Sequence, residues 1–232
     1  MRMKRALIGC DFHFQLAYKL ACDEFADKAK HDGPWDALVL AGDFWDIHCL
    51  SNFEKNPFKT ARFLEDELGE GREYLSRLDM ASKAKNKVFL CGNHEARITK
   101  YVYRQAPYMA KNLNEREILG IPDDWTFKAY NRSGCAQLGP LIVTHGVKCG
   151  VMAAKNNLVK YMCDVLTGHV HRNASYSATG YNGKPIHSHT IGGMWDVKAV
   201  EEYQLDVIDG TRAYAEVLYN DTRYEVITHT VK

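Results

Sequence analysis

The chain has 232 residues, of which 46% are hydrophobic and 25% charged, with a formal net charge of +1. This balance suits one globular domain spanning residues 1–232 and excludes collagen-like, low-complexity and disordered chains. Near-neutral charge gives no overall electrostatic footprint for nucleic acid or an anionic membrane, and leaves only local patches to consider.

Ala6-Leu7-Ile8-Gly9-Cys10 is an apolar run too short for a signal peptide or a membrane span. Seven cysteines at irregular spacing, with no C-x-x-C pair, point to reduced thiols in a cytoplasmic protein. Arg5–Cys10 reads as a buried strand, and Gln15–His31 as a helix ended by Asp32-Gly33-Pro34. Ala37–Ala41 is a second buried strand. Apolar or small residues at Ala61, Leu64, Leu68, Gly71, Leu75 and Leu78 then line one helical face. Gly71 leaves one helix or two open. Lys87–Leu90 is the third strand, and Ala96 to about Leu119 is helical with an interruption at Pro107.

Trp125–Tyr130, Cys135–Leu138 and Leu141–Thr144 read as strands, Val151–Met162 as a helix, and Asp164–Thr167 as another strand. The remainder is β-rich, with hairpin turns expected at Asn182-Gly183 and Asp209-Gly210. Residues 173–232 are expected to complete a second sheet. This rhythm of βα units gives an α/β class, two β-sheets with helices outside.

Five strand ends run into ligand-type residues: Asp11-Phe12-His13, Gly42-Asp43-Phe44-Trp45-Asp46, Gly92-Asn93-His94-Glu95, His145-Gly146 and Gly168-His169-Val170-His171. Carboxyl ends of strands in α/β folds are where loops aim side chains into a shared crevice. A lone D-x-H triplet is common by chance; five clusters, each closing an apolar run, form a pattern.

The series D-x-H, G-D-x-x-D, G-N-H-E, H-G and G-H-x-H resembles the signature of the calcineurin-like metallophosphoesterases, over residues 11–171. Size and the Glu95-Ala96-Arg97 sequence resemble short stand-alone members from bacteria and phages. The resemblance implies a four-layer αββα sandwich of two mixed sheets, with two divalent metals at one end. It implies Asp43 as the bridging ligand, a role a carboxylate can fill with its two oxygens. Asp11, His13 and His171 would complete the first metal's shell, and Asn93, His145 and His169 the second. Mixed nitrogen and oxygen ligands suit manganese first, with iron, zinc or nickel as alternatives. Such a pair lowers the pKa of a bound water toward ~7 and supplies hydroxide for attack on a phosphate ester. His94 resembles the family's non-ligand histidine that assists the leaving group, with Asp46 holding its ring.

The implied substrate is a phosphodiester, of a nucleotide or nucleic acid. The alternatives are a phosphomonoesterase acting on a small metabolite and a non-catalytic interaction module. Ser/Thr protein phosphatases carry arginine directly after G-D-x-x-D, where this chain has Ile47, which counts against that activity. No segment after His171 reads as the added DNA-binding domain of the repair exonucleases.

Arg97, Lys100, Tyr101, Tyr103, Arg104 and Tyr108 interleave cations and aromatics beyond the third cluster. They read either as a nucleic-acid rim, with Arg97 and Arg104 binding substrate, or as a solvated helix whose tyrosines pack on the sheet. Ser51–Lys59, with Lys55 and Lys59, is expected on the opposite rim. Cys10, Cys91 and Cys149 are expected as buried small hydrophobes. His31, His48, His187, His189 and His229 are assigned structural or surface roles.

Overall fold

The second strand explains the layering. All five residues of Ala37–Ala41 are buried, and their side chains alternate between two cores. Leu38 and Leu40 belong to one cluster, and Ala37, Val39 and Ala41 to the other. A strand with two apolar faces must be covered on both sides. The first strand obeys the same period of two, with Leu7 on one face and Ala6 and Ile8 on the other.

The structure is a computed structural model that describes residues 2–52, 63–196 and 210–232. Its elements are β1 (Lys4–Gly9), α1 (Lys19–His31), β2 (Ala37–Ala41), α2 (Leu64–Ser82), β3 (Asn86–Leu90), α3 (Ala96–Gln105), α4 (Glu115–Leu119), β4 (Thr126–Lys128), β5 (Cys135–Leu138) and β6 (Leu141–Thr144). α5 (Ala153–Tyr161), β7 (Val165–Thr167), β8 (Ala174–Thr179), β9 (Pro185–Thr190), β10 (Ala213–Tyr219) and β11 (Tyr224–Thr230) follow, with short 3₁₀ segments at His48–Leu50 and Pro107–Asn112.

One sheet has the order β11-β10-β1-β2-β3-β4, the other β5-β6-β7-β9-β8. Parallel and antiparallel pairs occur in both. Leu138, Leu141, Val143 and Leu166 of the second sheet meet Ile8 and Val39 of the first in a core between the sheets. On the far side of the first sheet, Phe25 of α1 and Leu68, Leu75 and Leu78 of α2 join Leu7 and Leu38. α5 covers the second sheet against β8 and β9. The result is an αββα sandwich of two mixed sheets flanked by helices.

Several boundaries differ from the sequence expectation. α1 begins at Lys19 rather than Gln15, because residues 11–14 run beside the chain after β2 and 16–18 pair with 194–196 instead of coiling. Phe14 N–H donates to the Phe44 carbonyl at 2.9 Å, and Gln15 sits at φ 85°. α2 runs unbroken through Gly71. That glycine packs beneath Trp45, where an added Cβ would lie 2.0 Å from the indole nitrogen. It serves a close approach, not a break. Ala61 lies outside the described residues.

The C-terminal third is divided between the sheets, which corrects the expectation that residues 173–232 complete the second sheet. Among the described residues β8 and β9 do so, and they turn at Asn182-Gly183. β10 pairs antiparallel with β1 and β11 with β10, extending the first sheet. The reason is burial: six of the seven β10 residues are buried, so this strand fits an interior position beside β1. Asp209, half of the other expected turn, is outside the described residues. No helix among the described residues is long and apolar enough to cross a membrane.

Candidate metal centre

β1, β2 and β3 are parallel neighbours, as are β6 and β7 in the facing sheet. Their carboxyl ends therefore open on one edge of the sandwich. The loops after β1 and β2 continue side by side past the strands, with Asp11 N–H on the Gly42 carbonyl at 2.9 Å and His13 N–H on the Asp43 carbonyl at 3.1 Å.

The residues between the ligand candidates anchor these loops. Phe12, Phe14, Phe44 and Trp45 are all buried in the core beneath the site. Phe12 and Phe44 have ring centroids 5.0 Å apart, and Phe44 and Trp45 4.7 Å apart. Such pairs contribute about 0.5–1.5 kcal/mol each beyond their buried area. Alternation thus sends aromatics down and Asp11, His13 and Asp43 toward one another. The sequence analysis gave these aromatics no role; their placement inside D-x-H and G-D-x-x-D was the available signal.

The backbone there is strained. Asp11, His13, Asp43, His169 and His171 all have positive φ, between 49° and 71°. Non-glycine residues in this region cost of order 1–3 kcal/mol each and gather at functional sites. Two glycines make room for the carboxylates. A Cβ on Gly92 would lie 2.1 Å from Asp43 Oδ1, and one on Gly168 2.4 Å from Asp11 Oδ2.

All seven residues with expected ligand roles come together. Asp11, His13 and His171 offer atoms within 4.8 Å of one another, as do Asp43, His145 and His169. His13 Nε2 is 3.0 Å from His171 Nε2 and 4.0 Å from Asp43 Oδ2. His145 Nε2 is 3.2 Å from both Asp43 Oδ2 and His169 Nδ1, and 3.1 Å from Asn93 Oδ1. Asp43 Oδ1 accepts the His94 N–H at 2.9 Å, and Oδ2 lies near histidines of both groups.

The donor set fits divalent metal. His145 Nδ1–H donates to the Ala41 carbonyl at 3.0 Å, which turns Nε2 toward the site. His13 Nδ1–H donates to Asp46 Oδ1 at 3.3 Å, which turns its Nε2 there as well. His169 Nε2 meets the Cys149 thiol at 3.3 Å, so Nδ1 faces inward. Outer hydrogen bonds of this kind fix the tautomer that presents a lone pair to an ion. Two imidazole nitrogens facing each other at 3.0–3.2 Å must otherwise share a proton.

Burial alone would lift the Asp11 carboxyl, but the His171 and His145 rings hold it at about 2. Burial likewise opposes the charge on Asp43, yet His145 and His94 hold that carboxyl well below its ordinary value. Burial opposes protonation of His145, but Asp43 beside it raises the ring to about 9. In metal-free protein His145 therefore stabilises the fold fully below about 6.5, its unfolded value, and this contribution disappears as pH rises through about 9. Chelator-treated protein should melt at progressively lower temperature between those pH values, and metal loading near neutral pH should release protons, read by calorimetry in buffers of different ionisation enthalpy.

His94 stands beside the ligand cluster. Its Nδ1–H donates to the Asp46 carbonyl at 2.8 Å and lies 3.0 Å from Asp46 Oδ1. Its Nε2 accepts from Arg97 Nη2 at 3.0 Å and lies 3.7 Å from Asp43 Oδ2. Asp46 thus braces His13 and His94 together, where the sequence reading assigned it only His94. Arg97 also donates through Nη1 to the Asp46 carbonyl at 2.5 Å. Arg104 is exposed further along α3, and residues 53–59 of the expected opposite rim lie outside the described residues. His48 Nδ1 reaches only to 4.0 Å from Asp46 Oδ2, and His187 and His189 share one face of β9.

Cys149 and Glu95 also depart from the sequence reading. Cys10 and Cys91 are buried as expected, but Cys149 is exposed, a correction that follows from its place in the loop after β6. Glu95, given no role, is fully buried and accepts backbone N–H groups from Asp43, Phe44, Trp45 and Gly92 at 2.6–3.0 Å. It ties the β2 and β3 loops together. Burial, then the nearby Asp43, raises its carboxyl above the ordinary value. Glu95→Ala leaves four buried donors without a partner, at about 1–3 kcal/mol each, partly offset by losing a buried charge. We expect a net loss of about 2–4 kcal/mol, read as a fall of roughly 4–16 °C in melting temperature.

No family model and no curated protein sequence matches the chain. Among solved structures it is similar to a metallophosphoesterase from Sphaerobacter thermophilus, at 17% identity over 100% of this chain and 89% of that one, with a TM-score of 0.48. It is similar to vacuolar protein sorting 29 from Cryptosporidium parvum, at 14% identity over 99% and 98%, with a TM-score of 0.47. A Vps29 double mutant from Entamoeba histolytica is 11% identical over 98% and 99%, with a TM-score of 0.37.

Proposed function

We propose that this chain is a two-metal phosphoesterase of the calcineurin-like kind, hydrolysing phosphodiesters of nucleotides or nucleic acid. The observation that carries the reading is one carboxylate oxygen, Asp43 Oδ2, lying 3.2 Å from His145 Nε2 and 4.0 Å from His13 Nε2, between two separate clusters of ligand atoms. Asp11, His13, Asp43 and His171 would hold one ion, and Asp43, Asn93, His145 and His169 the other, with manganese the favoured metal. Bound there, the pair would activate water and neutralise phosphate oxygens in the transition state.

The chain's own residues do the rest. Glu95 and the buried aromatics keep the loops from relaxing, so the ligands stay preorganised. His94, held by Asp46 through Nδ1, turns Nε2 toward the ester. Burial disfavours its protonation, but Asp43 and Asp46 raise the ring above the ordinary histidine value. While Nε2 accepts from Arg97 it has no proton to give. Nε2 therefore first takes a proton from water as Arg97 Nη2 turns from the ring to the phosphate, and Nε2–H then passes the proton to the leaving oxygen. Ile47 is fully buried at the position where the protein phosphatases carry arginine, so no phosphate grip comes from there.

The test is hydrolysis of bis(p-nitrophenyl) phosphate against p-nitrophenyl phosphate by manganese-loaded protein. Faster cleavage of the diester supports the proposal. Faster cleavage of the monoester favours a metabolite phosphatase, and no metal-dependent turnover of either ester favours a non-catalytic interaction module.

A further inference from the structure

Helix α3 leaves the catalytic loop directly, with Ala96 following Glu95. Between Ala96 and Asn114 the sequence holds four cationic residues, Arg97, Lys100, Arg104 and Lys111, and no acidic one. In a chain of net charge +1 this is a pronounced local excess. Arg97, Lys100, Tyr101 and Arg104 are three or four residues apart and so share one helical face. The opposite side of the helix faces the protein through Ile98, which is buried, and Val102, which is half-buried. Beyond the helix, Tyr108 and Lys111 extend the surface along the 3₁₀ segment.

Tyr101 is 42% exposed and Tyr108 82% exposed. Among the described residues, no hydrogen bond or ion pair engages Lys100, Arg104, Tyr101 or Tyr108. Exposed tyrosine rings interleaved with unpaired cations match a partner that is anionic and carries flat apolar surfaces. Nucleobases on a phosphate backbone have both properties, whereas an acidic peptide supplies only the charge. Seven residues at about 1.5 Å rise separate Arg97 and Arg104 by about 10 Å. With Arg97 held at the Asp46 carbonyl and Arg104 two turns further on, the spacing suits a ligand that carries several phosphates in a row.

We infer that the α3 face of Lys100, Tyr101 and Arg104, continued by Tyr108, is a binding track for single-stranded nucleic acid that leads the strand to His94. Arg97 Nη2, 3.0 Å from His94 Nε2, marks the junction between track and leaving-group position. The inference rests on the phosphodiesterase reading for its direction, but binding along the track is measurable without turnover.

The experiment is fluorescence anisotropy of a labelled, hydrolysis-resistant phosphorothioate oligothymidylate on the manganese-loaded full chain, across a salt series. Polyglutamate and anionic lipid vesicles serve as competitors. We expect binding that weakens with salt, a loss of about 5-fold or more in Tyr101→Ser, and a salt slope smaller by about 0.7 in Arg104→Gln. Both side chains are exposed, so the circular dichroism spectrum and melting temperature should match the parent. Absence of oligonucleotide binding, affinity unchanged in both variants, or stronger competition by polyglutamate or vesicles than by unlabelled oligonucleotide would overturn the inference. Diester hydrolysis without oligonucleotide binding removes the track and leaves the proposed activity standing. Track-dependent binding without turnover does the reverse.

Discussion

Asp43→Asn should abolish metal-dependent diester hydrolysis, by about 10³-fold or more, and leave the protein unable to retain two metals per chain. The substitution changes one atom, so packing hardly alters. Oδ2 lies near histidines of both ligand groups, and Oδ1 accepts the His94 N–H. An amide with its NH₂ at the Oδ2 position presents a donor where an ion needs an acceptor. Turned the other way, the amide places a donor against the His94 N–H. Neither orientation restores the site. Single electrostatic contacts in active sites are commonly worth 10²–10³ in rate, and under the two-metal proposal this one would serve two ions. The measurements are metal content by mass spectrometry and turnover of bis(p-nitrophenyl) phosphate. Full metal content with full activity would refute the central role given to Asp43.

His94→Ala should behave in the opposite sense toward metal: both ions retained, with turnover of diesters that have an alkyl or nucleoside leaving group down about 10²–10⁴-fold. His94 does lie near His13 and Asp43, close enough to form a third group of ligand atoms. Its lone pair, however, is already met by the Arg97 guanidinium at 3.0 Å, and a metal cation would compete with that charge for one nitrogen. A proton-donating role also predicts dependence on the leaving group. Loss should be small for p-nitrophenolate, which departs readily as an anion, and large for an alkyl or nucleoside leaving group, whose oxygen needs a proton. Loss of one metal in the variant would make His94 a ligand instead. Equal losses for good and poor leaving groups would remove the proton transfer.

The candidate ligand positions were legible in the sequence because each closes an apolar run whose strand character is local. Asp11, Asp43, Asn93, His145 and His169 stand within three residues of a strand end, and the parallel strand arrangement then puts those ends on one edge. Helical spacing around Leu68, Leu75 and Leu78 was similarly plain, since amphipathic periodicity is written in consecutive turns. Gly71 was ambiguous. A glycine that breaks a helix and one that admits a neighbouring indole look the same in one dimension, and only the position of Trp45 separates them.

What the sequence determined by itself was the alternation of strands and helices, the donor types at the strand ends and the basic, aromatic character of 97–111. These are properties of short segments and of residue chemistry. Tertiary structure alone decided that β10 and β11 join the first sheet, that Asp46 braces two histidines, that Glu95 gathers four N–H groups from two loops, and that Asp43 Oδ2 lies between His145 and His13. Each depends on partners 3 to more than 200 residues apart, as in the pairing of Lys4 with Tyr219. Strand pairing and hydrogen-bond direction are selected by what the whole core can bury and satisfy, a condition no local window contains.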